Sequence, residues 1–220
     1  MTMTAMAEPA TAATVPRTAK GEAARRRILD AAEAAFAEQG FAGTSLRSIG
    51  AAVDMGNAAL LHHFPTKRRL YAAVLQRIAA ELEESLLQPP GGSDLPAIAE
   101  AFLAWSVGRP QAGVLILREL LDNPARADRA RSWPMRPLLR RLGAAAEAAS
   151  RNGPMAAQDP TILAFQVIGA IAYICAGQRT IAAIMEIGPA EVIDRLRPAL
   201  RAQIDALTGP EAGRRPAGDR

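Results

Sequence analysis

The side chains best suited to specific chemistry lie between Thr44 and Lys67. Asn57 can pair two hydrogen bonds with an adenine edge, and Ala58, Ala59 and Leu61 can touch a thymine methyl. His62 continues the same short, outward-facing run, with His63 beside it. Thr44, Ser45, Arg47 and Lys67 fall at helix ends or on an exposed face. There they can bond phosphates, aided by the positive ends of helices. This is the chemistry of reading DNA. Catalysis is poorly served: the chain has two histidines and one cysteine, and no glycine-rich phosphate loop or nucleophile–base set is visible. His62 and His63 are adjacent and point about 100° apart on a helix, so they do not easily grip one metal. One is expected to pack or cap, the other to face DNA. No metal or cofactor is expected.

Such residues need a scaffold of short helices, and the sequence supplies one. A first helix runs from about Gly21 to Gln39, with Ile28, Leu29, Ala32 and Phe36 on one face, and Gly40 ends it. Thr44 or Ser45 can cap a second helix holding Leu46, Ile49 and Val53. A turn through Asp54-Met55-Gly56 leads to a third helix, Asn57 to His63, with Asn57 as a possible cap and Pro65 as the stop. Thr66 caps a fourth helix carrying Leu70, Val74, Ile78 and Leu82. Two short helices around a tight turn suit a helix-turn-helix, whose second helix lies in the major groove.

Alanine is abundant, aromatics make up 4%, and no strictly alternating β-branched run occurs, so the chain reads as all-α. Its net charge of +4 sits wholly in residues 1–80, which hold ten Lys/Arg against six Asp/Glu. That asymmetry suits a nucleic-acid footprint, though an ordinary solvated surface explains it equally well. Arg17, Lys20 and Arg25 can follow the DNA backbone. The runs Lys67-Arg68-Arg69 and Arg25-Arg26-Arg27 are partly solvated surface. A single cysteine, Cys175, excludes an internal disulfide and fits a reducing compartment. Its apolar neighbours mark it as inert core. No signal pattern opens the chain, and a cytoplasmic location with no membrane partner is expected.

Residues 1–20 read as a disordered arm, 21–66 as a DNA-binding domain, 67–208 as a ligand-binding and dimerisation domain, and 209–220 as a loose tail. Residues 67–86 form the connecting helix, and Pro89-Pro90-Gly91-Gly92 is the clearest linker. Further helices are expected at Leu95–Val107, Gln111–Leu121, Met135–Ser150, Thr161–Met185 and Pro189–Leu207, nine in all. Trp105, Arg118, Phe165 and Tyr173, with Glu119 and Arg179, are candidates to line a pocket between them. The stretch from Thr161 to Gln178 is uncharged and needs partners on two sides. One side invites a second subunit, with Gly169, Ala172 and Ala176 allowing close approach.

The string Ile28-Leu29-Asp30-Ala31-Ala32, Phe36, Gln39-Gly40-Phe41, Thr44-Ser45-Leu46, Ile49, His63-Phe64-Pro65-Thr66-Lys67 and Leu70 resembles the tetracycline-repressor (TetR) family of transcriptional regulators. The resemblance covers about Arg26 to Leu75. It departs from the family at Asp54-Met55-Gly56, where Gly-Val-Ser is usual, at Ala58-Ala59 and at Leu61. It implies a dimer of nine- or ten-helix chains, DNA binding by the first three helices, and a ligand pocket in the C-terminal helices. It also implies a phosphate contact by Lys67. The dimer face would use the uncharged helix, with Phe165, and the helix from Pro189 to Leu207, with Ile193 and Leu200. The expected function is a homodimeric repressor on a palindromic operator in double-stranded DNA, released by a largely apolar small molecule. The alternatives are a ligand-independent or partner-controlled DNA binder and, further off, a helical enzyme.

Overall fold

The computed structural model describes residues 17–87, 94–121, 136–151 and 158–208, which form ten α-helices and no strand. The all-α expectation therefore holds among the described residues. Met1 to Pro16, the Pro89–Gly92 linker, the breaks at Asn123-Pro124 and Asn152-Gly153-Pro154, and the tail from Gly209 lie outside them.

Helix α1 (Arg17–Gly43) starts four residues earlier than expected, so Arg17 to Lys20 belong to it rather than to an arm. No glycine or proline in those four residues opposes a helix. The helix kinks at Gly40, whose backbone (φ 71°, ψ 174°) lies in a region open essentially only to glycine. The kink folds Phe41 back beside Phe36 and onto Tyr71, with ring centroids 6.1 and 5.1 Å apart. Tyr71 also meets Phe36 edge-on at 4.9 Å.

Helix α2 (Leu46–Ala52) is capped by Ser45, which accepts from the Ser48 amide at 3.0 Å while Ser48 reaches back to the Ser45 amide. The chain then turns tightly. The Met55 amide donates to the Gly50 carbonyl at 2.9 Å, and Asp54 takes a left-handed conformation (φ 52°). A side chain at Gly50 would sit 2.8 Å from the Met55 carbonyl oxygen, so only glycine fits there. Helix α3 (Asn57–His63) has Gly56 as its N-cap and no side-chain cap. Asn57 is therefore not the cap: it is already the first helical residue. Pro65 follows the non-helical Phe64 that ends α3, as expected. The Thr66 hydroxyl accepts from the Arg69 amide at 3.2 Å and so caps α4 (Lys67–Leu87).

Asp94 caps α5 (Leu95–Gly108), and Pro110 opens α6 (Pro110–Leu121), which lies along α1. Helix α7 (Arg136–Ser150) packs on α8 (Pro160–Ala176), and α5 and α6 cover another part of α8. One continuous core runs from Ile28 and Phe36 through Leu70, Ile78 and Leu82 to Phe102, Leu142, Val167 and Ile204.

The helix expected over Thr161–Met185 is two. Helix α8 stops at Gly177, and α9 (Gln178–Met185) departs at 74°. The Gly177 amide turns back to the Tyr173 and Cys175 carbonyls, and the Gln178 amide group donates to the Pro189 carbonyl at 2.7 Å. That last bond ties the start of α9 to the start of α10 (Pro189–Thr208). No single described helix is long and apolar enough to cross a membrane.

Gly50→Ala is expected to destabilise the chain by about 1–3 kcal/mol, because the new methyl overpacks against the turn. Asp54→Gly should relieve about 1 kcal/mol of left-handed strain. Thermal unfolding followed by circular dichroism should show the melting point falling in the first and rising in the second.

Candidate nucleic-acid interface

Helix α3 is seven residues long and buries Leu60 completely, with Phe64 just beyond it. Periodicity then forces the intervening residues outward. Asn57, Ala58, Ala59, Leu61 and His62 are all exposed, and Leu61 is 36% exposed. His63 is half-buried, its ring 5.8 Å from that of His62. Of the two histidines, His62 thus faces out and His63 packs in part. With no side-chain cap to make, Asn57 keeps both its amide donors and its carbonyl for a partner.

The residues around α3 hold it in place. The Arg27 guanidinium donates to the Val53 carbonyl at 2.7 Å, tying α1 to the helix-turn-helix turn. Arg25 lies over the Phe64 ring at 4.4 Å, a cation–π contact on the helix's far end. The Lys67 ammonium donates to the Phe41 and Thr44 carbonyls at 2.8 and 2.9 Å and lies 4.5 Å from the Phe41 ring. Lys67 therefore does a structural task that sequence alone did not reveal. It neutralises the carbonyl end of α1, which leaves a single N–H for a phosphate.

Thr44 is corrected more fully. Only 2% of it is exposed, and its hydroxyl proton is shared between the Gly40 and Ala35 carbonyls, so its side chain is spent inside the chain. Ser45 and Arg47 are exposed at the start of α2.

The expected pocket set does not converge. Trp105 is buried and stacked on Phe102 at 6.1 Å. Arg118 reaches the Glu38 carbonyl at the end of α1, and Glu119 accepts a buried hydrogen bond from the Tyr71 hydroxyl at 2.8 Å. Phe165 and Tyr173 are 41% and 71% exposed on the outer face of α8, and Arg179 is exposed on α9. A cleft of about 320 Å³ does lie between α5 and α10, lined by Asp94, Ala97, Glu100, Arg197 and Leu200 among others. Its rim is charged, and none of the expected residues lines it.

The expected dimer residues divide. Phe165 and Gly169 are exposed on α8, together with Ile162 and Tyr173. Ala176 is half-buried. Ala172, Ile193 and Leu200 are buried within the chain's own core and are not available to a partner. The helical phase of α10 turns its aliphatic residues inward and its small ones, Ala199 and Ala202, outward. Cys175 is buried, and burial pushes its thiol up to about 11, in keeping with inert core.

Sequence reasoning missed one constellation. Glu33, 5% exposed, sits between Arg77 of α4 and Arg109 at the end of α5, with Asp30 and Glu81 alongside. The signal was present: Glu33 interrupts the apolar face of α1 between Leu29 and Phe36.

Residues 28–74 match the family model described as bacterial regulatory proteins, tetR family. The matched segment runs from the core of α1 through α3 and into α4. Those 47 residues carry the N-terminal segment of the TetR family. Among curated TetR-like proteins, it is 35% identical over 104 residues to the transcriptional repressor AcnR of Corynebacterium diphtheriae, covering 47% of this chain and 43% of AcnR. The chain thus spans less than half the length of the AcnR proteins it matches. It is 29% identical over 170 residues to the transcriptional regulator RutR of Escherichia coli K12, covering 74% of this chain and 78% of RutR. The fold matches that of AibR, solved in complex with isovaleryl coenzyme A and operator DNA. The TM-score is 0.61 at 23% identity, covering 84% of this chain and 98% of AibR. The relatives named here are regulators rather than enzymes.

Within this TetR-family domain, Lys67→Ala is expected to remove two charge-assisted hydrogen bonds and to destabilise the chain by about 1–3 kcal/mol. Arg68→Ala, on the exposed side of the same helix start, should leave stability unchanged. Paired thermal melts of the two variants check the contrast.

Proposed function

We propose that this chain is a homodimeric, operator-binding transcriptional repressor, with residues 21–66 as the DNA-binding domain and 67–208 as the dimerisation and effector domain. The observation that carries the reading is the outward face of α3. Five residues able to touch base edges stand on a helix pinned from behind by Leu60, Phe64, Arg25 and Arg27. Ser45 and Arg47 flank that face for phosphates. The repressor name of AcnR supports the sign of regulation.

The dimer reading rests on α8. Ile162, Phe165 and Tyr173 form an exposed apolar stripe, with Gly169 between them as a point of close approach. Helix α10 packs beside α8 and offers Ala199 and Ala202 outward. Pairing two such faces by a twofold axis would bury the stripe and set two α3 helices one DNA turn, about 34 Å, apart. A small effector held among the C-terminal helices would release the operator by favouring a conformation with another spacing. That AibR is solved with both a ligand and DNA supports this last step only by analogy of fold.

The test is a duplex selected from random-sequence DNA by the full-length protein, followed by footprinting. A palindrome protected by a dimer is the expected result, and a monomer or an absence of selection overturns the reading. Phe165→Arg with Tyr173→Arg should yield monomers by sedimentation and lose the palindrome. Asn57→Ala and His62→Ala should change the selected sequence, whereas Arg47→Ala should weaken all sequences alike and reduce the salt slope by about one unit.

A further inference from the structure

We propose that Arg109 is a positioning residue for operator binding, a clasp that fixes the angle between the α1–α3 module and the C-terminal helices. The inference rests on the operator-binding reading above. Arg109 is the C-cap of α5 and directly precedes Pro110, which keeps its backbone out of helical geometry (φ −131°, ψ 59°). The side chain leaves the C-terminal domain at this corner. Its Nη2 donates to both oxygens of Glu33 on α1, at 3.0 and 2.9 Å. Its Nη1 donates to Glu81 on α4.

Arg77 of α4 closes the cluster, with Nη2 to Glu33 at 2.6 Å and Nη1 to Asp30 at 2.5 Å. Burial works to lower the Arg77 pKa, but the bonds to Glu33 and Asp30 outweigh it and hold the guanidinium above its ordinary value. Glu33 therefore has two cationic partners of different standing. Arg77 lies on the helix that follows the DNA-binding module directly. Arg109 lies beyond it, on the body against which that module must be held.

Removing Arg109 leaves Glu33 paired to Arg77, so the fold survives. What is lost is the fork that ties α1 to the corner between α5 and α6. A half-site needs one module in any attitude. A palindrome needs two modules at a set separation, and every dimer in another attitude is subtracted from the binding-competent fraction. If a tenth of the dimers keep the right attitude, apparent affinity falls about tenfold.

The experiment compares full-length wild type, Arg109→Gln and Arg109→Lys on two probes: the palindrome selected by the wild type, and the same duplex with one half-site scrambled. Arg109→Gln is expected to lose about tenfold on the palindrome and less than about twofold on the half-site. Arg109→Lys should fall between, because one ammonium cannot fork to Glu33 and Glu81. Equal losses on both probes, or none, overturn the proposal. A second readout needs no DNA. Spin labels at Ala59 on α3 and Ala148 on α7, both exposed, report the domain angle when labelled chain is diluted with unlabelled chain. Arg109→Gln should broaden the distance distribution, and an unchanged width overturns the clasp. Failure of the wild type to select any duplex would sink the operator reading, while the label widths would still decide whether Arg109 fixes the angle.

Discussion

A carboxylate stripped of water must find cations, and Glu33 dictates where α1 can lie. Leaving it unpaired would cost several kcal/mol. Its partners come from α4 and from the α5–α6 corner, so only one placement of α1 satisfies it. The apolar residues around it are less particular. Phe36, Phe41 and Tyr71 would gain from burial in several registers, since hydrophobic contact is not directional. The rings and the packing of α6 along α1 hold the two parts together, and the ion cluster adds a directional constraint.

From α1 the constraint passes to α3 through short, direct contacts. Arg27 holds the turn, Arg25 holds the end of α3, and Lys67 closes the end of α1. These are also a good part of the basic residues that made the first eighty positions look like a nucleic-acid footprint. With Arg77 in the ion cluster, four of the ten are engaged within the chain. The positive field available to phosphate comes from the exposed remainder, such as Arg26, Arg47, Arg68 and Arg69. Net charge was thus a poor guide to which residues face a partner, although its location along the chain was right for the domain.

What could be read from sequence was whatever depended on local rules. Helical spacing found the core faces of α1 and α4, Gly40 marked the kink of α1 and Pro65 the end of α3, and Ser45 and Thr66 proved to be caps. The outward set on α3 followed from placing Leu60 and Phe64 inward. What stayed hidden depended on distant residues. Thr44 looks like any helix-start hydroxyl until the kink at Gly40 turns it inward. Lys67 looks like the head of a charge run until α1 presents its carbonyls. Ile193 and Leu200 look like interface residues until α10 is docked on α5 and α8. The bend at Gly177 did carry a local signal, a glycine within a helical run, but the apolar pattern continues past it and masks the break.

Helix α3 divides its labour cleanly. Leu60 and Phe64 hold it to the body, while four of the five outward positions stand clear of the interior and Leu61 is partly covered. Exchanging those five therefore carries little folding penalty. On the operator-binding reading, descendants of such a chain could drift to new promoters by a handful of codon changes, with the machinery behind the helix left as it is.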